Sequence, residues 1–476
     1  MADNSRPTSA KLRSQKKLKF LKPKGDWMPV RKVRSRLASP APDKNASNSR
    51  SPIHFNIRLR SPKSSPDSRR AFSENASPNV SGQSNAKGSL ENGIQQPTMK
   101  KAHHRNNSTS KLDKFMIEDG SQSQREDDRE RLIQKIVLNF RTKRVPPPTT
   151  VNFYKYGKLI GRGAFGKVYL GIHKLTGLKV AIKAIDKANI RDERKRRKVL
   201  QEVCVMKRIK HRNVVKLFEV FESSRHLLMV MEYAGGGDLL QLIKSRKKIT
   251  ESEARVVFGQ VVDGIRACHR KNVIHRDIKL DNILLNSDLS CAKICDFGVS
   301  RIAKFGEKVH EQCGTPAYLA PEIIAGRGYE PFYVDIWSLG VLLYAMVSGT
   351  VPFKAKTLSE LHKLILKGNY EFPEELSSEL ADLVKLMLNP IPHFRIQLND
   401  IYNHPWLRKL MPGGPGDSVY PKISSESFTE HKNSTRTIMV KMLELGFPED
   451  YVLECIKYGD LNHASATYQL LEVSNC

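Results

Sequence analysis

His275-Arg276-Asp277-Ile278-Lys279-Leu280-Asp281-Asn282 is the stretch whose reading decides the fold. Within eight residues it sets a carboxylate able to act as a base, a cation two places on and an amide five places on. The run Ile283-Leu284-Leu285 after it reads as a short buried strand. Downstream come Asp296-Phe297-Gly298, Gly314-Thr315-Pro316 and Ala320-Pro321-Glu322. Upstream, Ile160-Gly161-Arg162-Gly163-Ala164-Phe165-Gly166-Lys167-Val168 sits between two strand-like runs. A G-x-G-x-x-G pattern by itself is weak, but here Val168-Tyr169-Leu170-Gly171 continues as a strand, where a dinucleotide fold needs a helix. That favours a hairpin laid over a triphosphate, with backbone N–H groups approaching phosphate oxygens. A further strand, Val180-Ala181-Ile182-Lys183, ends on a lysine that alone also reads as an edge-strand gatekeeper. Glu202 changes that balance. It lies in a helical stretch with Val199, Val203, Met206 and Ile209 on the apolar face, where it is able to hold Lys183 against phosphates.

Four motifs in this order and spacing resemble the protein-kinase signature set, so residues 153–410 resemble a eukaryotic protein-kinase domain. The resemblance implies an α+β, bilobal fold, with a β-rich N-lobe over 153–234 and an α-rich C-lobe over 235–410. It also implies ATP and Mg²⁺ as cofactors. Lys279 and the Gly314-Thr315-Pro316 segment resemble the serine/threonine branch. By the same resemblance Asp277 accepts the proton of a substrate hydroxyl, Lys279 neutralises γ-phosphate charge and Thr315 steadies both. Asn282 and Asp296 supply hard oxygens for Mg²⁺. The strip Met231-Glu232-Tyr233-Ala234 joins the lobes and bonds adenine through its backbone, Val168, Ala181 and Leu284 sandwich the ring, and Met231 gates the rear pocket. Asp335-Ile336-Trp337-Ser338-Leu339-Gly340 matches the segment that anchors the catalytic loop, and Arg395 matches the partner of Glu322. Asp238 and Asp281 match positions where basophilic kinases pair with arginines upstream of the acceptor. Both also read as solvated carboxylates, and Asp238 as a ribose contact.

One position departs from the pattern. Kinases with Arg before the catalytic Asp often need a phosphate three residues before the Gly of Cys-Gly-Thr, and that place holds Glu311. Residues 299–319 carry only Ser300 and Thr315 as serine or threonine hydroxyls, both at structural positions. Glu311 is therefore expected to offer Arg276 one fixed charge where a phosphate offers about two. The alternative is that it faces solvent.

The rest of the 476 residues carries little that points to chemistry. The net charge is +31, of which +19 falls in residues 1–150 (32 Lys+Arg against 13 Asp+Glu) and +12 in the remainder. Residues 1–120 are rich in Ser, Pro, Asn, Lys and Arg without periodicity, and read as a disordered basic tail. Five Ser-Pro pairs, at Ser39, Ser51, Ser61, Ser65 and Ser77, offer phosphorylation sites that would strip its charge. Nuclear import, attraction to acidic partners such as nucleic acid or anionic membrane, and plain solvated disorder all stay open for it. A nucleic-acid-binding protein driven by this tail would bind in a strongly salt-dependent way through residues 1–120 alone. Arg125 to Arg144 reads as a short docking helix with an acidic first turn, stopped by Pro146-Pro147-Pro148, so 121–150 is a helix and Pro-rich linker.

After a 411–433 linker, residues 434–473 carry three short helical patterns around Leu445-Gly446-Phe447. They resemble a ubiquitin-associated domain, with a featureless helical hairpin as the alternative. With the kinase-like region, this is similar to the AMP-activated and microtubule-affinity-regulating kinases of the calcium/calmodulin-dependent group, and implies contact with the kinase domain itself. Seven scattered cysteines without a C-x-x-C pair suit a reduced, cytoplasmic or nuclear setting and do not indicate zinc. Ile336–Val347 is the longest strongly apolar stretch, below the roughly 20 residues of a membrane span, and no signal peptide is evident, so the sequence predicts a soluble, non-secreted chain. Two readings from different classes remain: an active Mg-ATP-dependent kinase acting on protein substrates, and a pseudokinase scaffold. Scaffolds usually lack one of Lys183, Glu202, Asp277, Asn282 or Asp296, and all five are present.

Overall fold

The computed structural model describes residues 122–163, 165–408 and 425–474, with side chains of the last segment from residue 435 onward. The basic-tail reading, Ala164 and most of the 411–433 linker lie outside the described residues. Helix α1 (Gln122–Lys143) precedes a five-stranded antiparallel sheet of β1 (Tyr154–Arg162), β2 (Gly166–His173), β3 (Lys179–Asp186), β4 (Leu217–Glu222) and β5 (His226–Glu232), in the order β1-β2-β3-β5-β4. Helix α2 (Glu193–Arg208) lies between β3 and β4; Asp192 caps it by accepting from Arg194 N at 2.7 Å. The acidic residues of α1 fall after its first turn, because the helix starts at Gln122, three residues before the expected Arg125.

The β3 strand shows how the sheet divides its labour. Alternate residues face opposite sides of a strand. Val180, Ile182 and Ala184 join an apolar cluster on the outer face, which puts Ala181 and Lys183 on the face toward α2.

The second lobe is helical: α3 (Leu239–Arg246), α4 (Glu251–Arg270), α5 (Pro321–Ala325), α6 (Pro331–Ser348), α7 (Leu358–Lys367), α8 (Ser378–Met387), α9 (Leu398–Asn403) and α10 (Pro405–Arg408). Two small ribbons, β6 (Val273–Ile274) with β9 (Arg301–Ile302) and β7 (Ile283–Leu285) with β8 (Ala292–Ile294), frame the segment on which the sequence reading turned. Among the described residues, α6 is the one helix long and apolar enough to cross a membrane by length and composition, and 83% of it is buried. It forms the centre of this lobe, with Trp337 stacked on Phe353 at 5.6 Å.

Three more helices close the chain: α11 (Ser425–Glu444), α12 (Glu449–Tyr458) and α13 (His463–Ser474). Here the 411–433 linker needs correction, since α11 begins at Ser425. The segment 425–433 has a linker's polarity but neither Pro nor Gly, so a helix anchored by Ile438, Met439 and Met442 runs back through it. Gly446 (φ 85°) makes the turn into α12, a conformation that costs an L-residue about 1–2 kcal/mol. The three helices pack on the outer face of the sheet: Ile438, Met442, Phe447 and Leu470 share one buried cluster with Phe153, Val180, Ile182 and Phe218.

Candidate active site

The segment 275–282 folds into a tight loop because one buried carboxylate organises it. Asp335, on the first turns of α6, accepts from the backbone N–H groups of His275 and Arg276, both at 2.9 Å, and from His269 Nε2 at 2.8 Å. Burial raises its pKa, but the His269 hydrogen bond and the nearby histidines outweigh this and leave it low. The loop it holds is strained, with φ of 65° at Arg276. Downstream, Asp296 shares that left-handed geometry at 61°.

Asp277 projects from this loop into a dense set of donors. Its Oδ1 accepts from Thr315 N at 3.0 Å and Thr315 Oγ1 at 2.7 Å. Its Oδ2 receives Asn282 Nδ2 at 3.0 Å and lies 2.9 Å from Lys279 Nζ. Lys279 Nζ also reaches Thr315 Oγ1 at 2.9 Å, which closes the ring. Burial raises the Asp277 pKa, yet hydrogen bonds from Lys279 and Thr315 more than offset it, so the carboxyl is held below the usual range. It is ionised at neutral pH and acts only as an acceptor. Asn282 spends its amide nitrogen on Asp277, which leaves its oxygen for another ligand.

On the sheet, Lys183 Nζ meets Glu202 Oε1 at 2.5 Å, with side-chain exposures of 9% and 2%. Burial pulls the lysine pKa down, but the carboxylates of Glu202 and Asp296 reverse the effect and leave it raised. Lys183 therefore stays cationic, and Asp296 is near enough to sense it. The hairpin of β1 and β2 turns through Gly163, whose N–H donates to Gly166 O at 2.8 Å. A Cβ on Gly166 would come within 2.3 Å of Ala184 O on β3, so the start of β2 lies this close to β3 only with glycine there. Register pairs Val168 with Lys183 and Ala181 with Met231, while an isolated bridge joins Asp238 to Leu284. These pairings bring Val168, Ala181 and Met231 together on neighbouring strands, with Ile160, Gly161, Arg162, Phe165 and Lys167 on the hairpin around its turn. Glu232 turns its carboxylate to Lys293 (3.0 Å) and Lys216 N (3.2 Å), so it has only backbone to offer an adenine; Ala234 follows β5 in the strip between the lobes.

Among the described residues no group of three or more His, Cys, Asp or Glu side chains is placed to hold a metal. Mg²⁺ keeps waters and uses one or two protein oxygens beside phosphate, a donor set that the free amide oxygen of Asn282 and the carboxylate of Asp296 fit.

Glu311 does not simply face solvent. Although its side chain is 62% exposed, it meets Arg276 Nη1 at 3.0 Å and Arg301 Nη1 at 3.3 Å. The hydrogen bond from Arg276 is the main reason its pKa is lowered. Arg301, on β9, is a second partner of Glu311 that the sequence reading missed, because a lone arginine looks like any solvated charge. Tyr329, which donates to Glu311 O at 2.6 Å, was missed because a single tyrosine 18 residues from Glu311 reads as a core aromatic. Farther down, Arg395 makes the expected two-pronged pair with Glu322, at 2.6 and 2.7 Å. Asp238 caps α3, with Oδ1 on Gln241 N (2.8 Å) and Oδ2 on Gln241 Nε2 (2.6 Å), while Asp281 is exposed.

The family profile described as the protein kinase domain matches residues 154–407. Among curated relatives, a serine/threonine-protein kinase SIK3 homolog from Danio rerio is 35% identical over 329 residues, covering 68% of this chain and 27% of the relative. The SNF1-related protein kinase catalytic subunit alpha KIN12 from Arabidopsis thaliana is 35% identical over 319 residues, covering 67% of this chain and 63% of the relative. In both cases the match spans less than two thirds of the relative's length. With that match laid over the paired Lys183 and Glu202, the ring around Asp277 and the Arg395–Glu322 clamp, the chain belongs to the protein kinase domain family.

Proposed function

We propose that this protein is a serine/threonine kinase that transfers the γ-phosphoryl group of ATP to Ser or Thr hydroxyls of protein substrates. The observation that carries the reading is the ring of donors around Asp277. An ionised carboxylate fixed on both oxygens is oriented to accept a hydroxyl proton as the oxygen attacks, and such positioned bases contribute about 10²–10⁴ in rate. Lys279, bonded to both Asp277 and Thr315, is placed to meet charge that develops on the transferred group. Lys183, held by Glu202, supplies a cation for the α and β phosphates, and the glycine hairpin supplies N–H donors. Asn282 and Asp296 would hold Mg²⁺, which neutralises phosphate charge when bound.

Glu311 supports a loop set without phosphorylation, because it bridges the arginine before Asp277 and the one on β9. Asp238 and Asp281 support a preference for arginine upstream of the acceptor, although the Asp238 carboxylate is shared with the α3 cap. The C-terminal helices are read as a ubiquitin-associated-like unit of an AMP-activated-kinase-like protein acting in the cytoplasm or nucleus, and the basic tail as a site for acidic partners. A pseudokinase scaffold is the less favoured reading, since no member of the phosphate and proton machinery is missing.

Radiolabelled ATP with wild type and Asp277→Asn tests the assignment. Incorporation should fall by about 10²–10⁴ in the variant, and mass spectrometry should place wild-type phosphate on Ser and Thr. Undiminished labelling in Asp277→Asn removes the base, and phosphate confined to tyrosine removes the substrate class. A peptide array favouring proline or acid beside the acceptor removes the arginine preference.

A further inference from the structure

The apolar stripe of α1 faces the turn between α11 and α12. Phe140 meets Phe447 edge-on with centroids 6.4 Å apart, and Tyr451 at 5.2 Å. A Cβ on Gly446 would fall 2.7 Å from Val137 Cγ2 and 3.5 Å from Ile136 Cγ2, so the helix touches the turn too closely for a side chain there. Ile136 and Phe447 are wholly buried. The opposite side of α1 is wet, with Leu138 60% exposed. The N-terminal half of the helix grips the other lobe element: Asp128 pairs with Lys174 at 2.7 Å, and Arg129 Nε donates to Leu175 O at 3.0 Å, both in the loop after β2. The linker after α1 completes the connection. Thr149 Oγ1 donates to Glu219 Oε2 on β4 (3.1 Å) and lies 3.0 Å from His463 Nδ1 at the start of α13. Neither α1 nor α11–α13 falls within the matched domain of residues 154–407.

We infer that the face of the C-terminal unit formed by Gly446, Phe447 and Tyr451 is a helix-binding groove, and that α1 is its occupant in cis, strapping the unit to the outer face of the sheet. The partner such a groove fits is an amphipathic helix with branched apolar residues on two successive turns and an aromatic on the next, the pattern Leu132, Ile133, Ile136, Val137, Phe140. The groove takes one helix at a time, because the Gly446 contact leaves no spare depth. Few residues separate Lys143 from Phe153, so α1 is present at an effective concentration on the order of millimolar, and a helix of the same kind from another chain competes only after α1 is released. The inference stands on packing outside the catalytic segment and does not depend on the reaction assigned above.

A fluorescent peptide of residues 122–144, titrated by anisotropy, tests it on the full chain. Ile136→Asp/Phe140→Asp should vacate the groove, bind the peptide saturably and bind it at least 10-fold more tightly than wild type does. Peptide carrying Ile136→Asp should not bind. Amide exchange in α12 and the start of α13 should quicken in the variant and slow again when peptide is added. Equal binding to both chains, or binding to neither, overturns the proposal. Should the double variant fail to fold, Phe140→Ala, which buries no charge, decides the matter: exchange should quicken around residues 447–463 and stay unchanged in α6, and unchanged exchange around 447–463 overturns the proposal.

Discussion

Arg276 holds a left-handed backbone, and this costs about 1–2 kcal/mol for a non-glycine residue. The loop keeps that conformation because Asp335 takes the N–H groups of His275 and Arg276 at once. Asp335→Ala would leave two buried donors unpaired, at about 1–3 kcal/mol each. We expect it to lower the thermal midpoint by several degrees and to abolish phosphoryl transfer together; differential scanning calorimetry and a kinase assay read the two effects. Retained activity in that variant would separate Asp335 from the loop geometry. Glu311 works at the same scale but more weakly. Its side chain is mostly exposed, so solvent screens its ion pairs to about 1 kcal/mol or less. Glu311→Ala should therefore reduce specific activity only severalfold, roughly fivefold for a 1 kcal/mol loss. An unchanged value would mean the pairing does not set the loop.

At the scale of elements, the junction of β1, β4 and α13 is built around buried ionisable groups. Tyr154 OH donates to Glu219 Oε1, and Thr149 links Glu219 to His463. Burial pushes the Glu219 carboxyl up to about 7 and drives His173 and His463 down to about 3 and about 4. The signs oppose one another. Both histidines stay neutral in the packed state and gain protons below about 6.5 once exposed, so acidification weakens the packing. Glu219 holds its proton up to about 7 when packed but loses it above about 4.5 when exposed, so acidification strengthens the packing. With two histidines against one carboxyl, unfolding takes up about one net proton between roughly pH 4.5 and 6.5, a loss of about 1.4 kcal/mol per pH unit. Thermal unfolding followed from pH 7 to 5 should show this fall, and His463→Asn should flatten it. A midpoint that rises on acidification would mean Glu219 dominates. None of this was legible beforehand, because Glu219 sits in the strand sequence Leu217-Phe218-Glu219-Val220 like a solvent-facing residue on an alternating strand, whereas in the fold it is buried with Tyr154 and Thr149 on its carboxylate.

Over the whole molecule, the sheet works as a partition. The side toward α2 carries Lys183, and the outer side carries the α11–α13 unit and α1. A chain ending before Ser425 would uncover Phe153, Val180, Ile182 and Phe218 at once, each worth about 1.5–3 kcal/mol of burial. We expect such a truncation to lose thermal stability and to self-associate, as seen by calorimetry and size-exclusion chromatography; a monomer with an unchanged midpoint would mean the outer face is independently stable. The +31 charge with which the chain presents itself has little bearing on this architecture, since most of it lies in residues 1–150. What the sequence by itself determined was the kinase motif set. Asp277, Lys279, Asn282, Lys183, Glu202 and Asp296 were legible as members of that set because they stand at short, fixed separations within local motifs, and the fold pairs Lys183 with Glu202 and gathers Lys279 and Asn282 around Asp277. The strands were legible for a similar reason, through alternation along a few residues. Tertiary structure alone decided that Asp335 holds the loop, that Arg301 shares Glu311, that α11 reaches back to Ser425 and that α1 lies in a groove more than 300 residues away. Those contacts join segments far apart in the chain, and they depend on shape and burial, which no local spacing records.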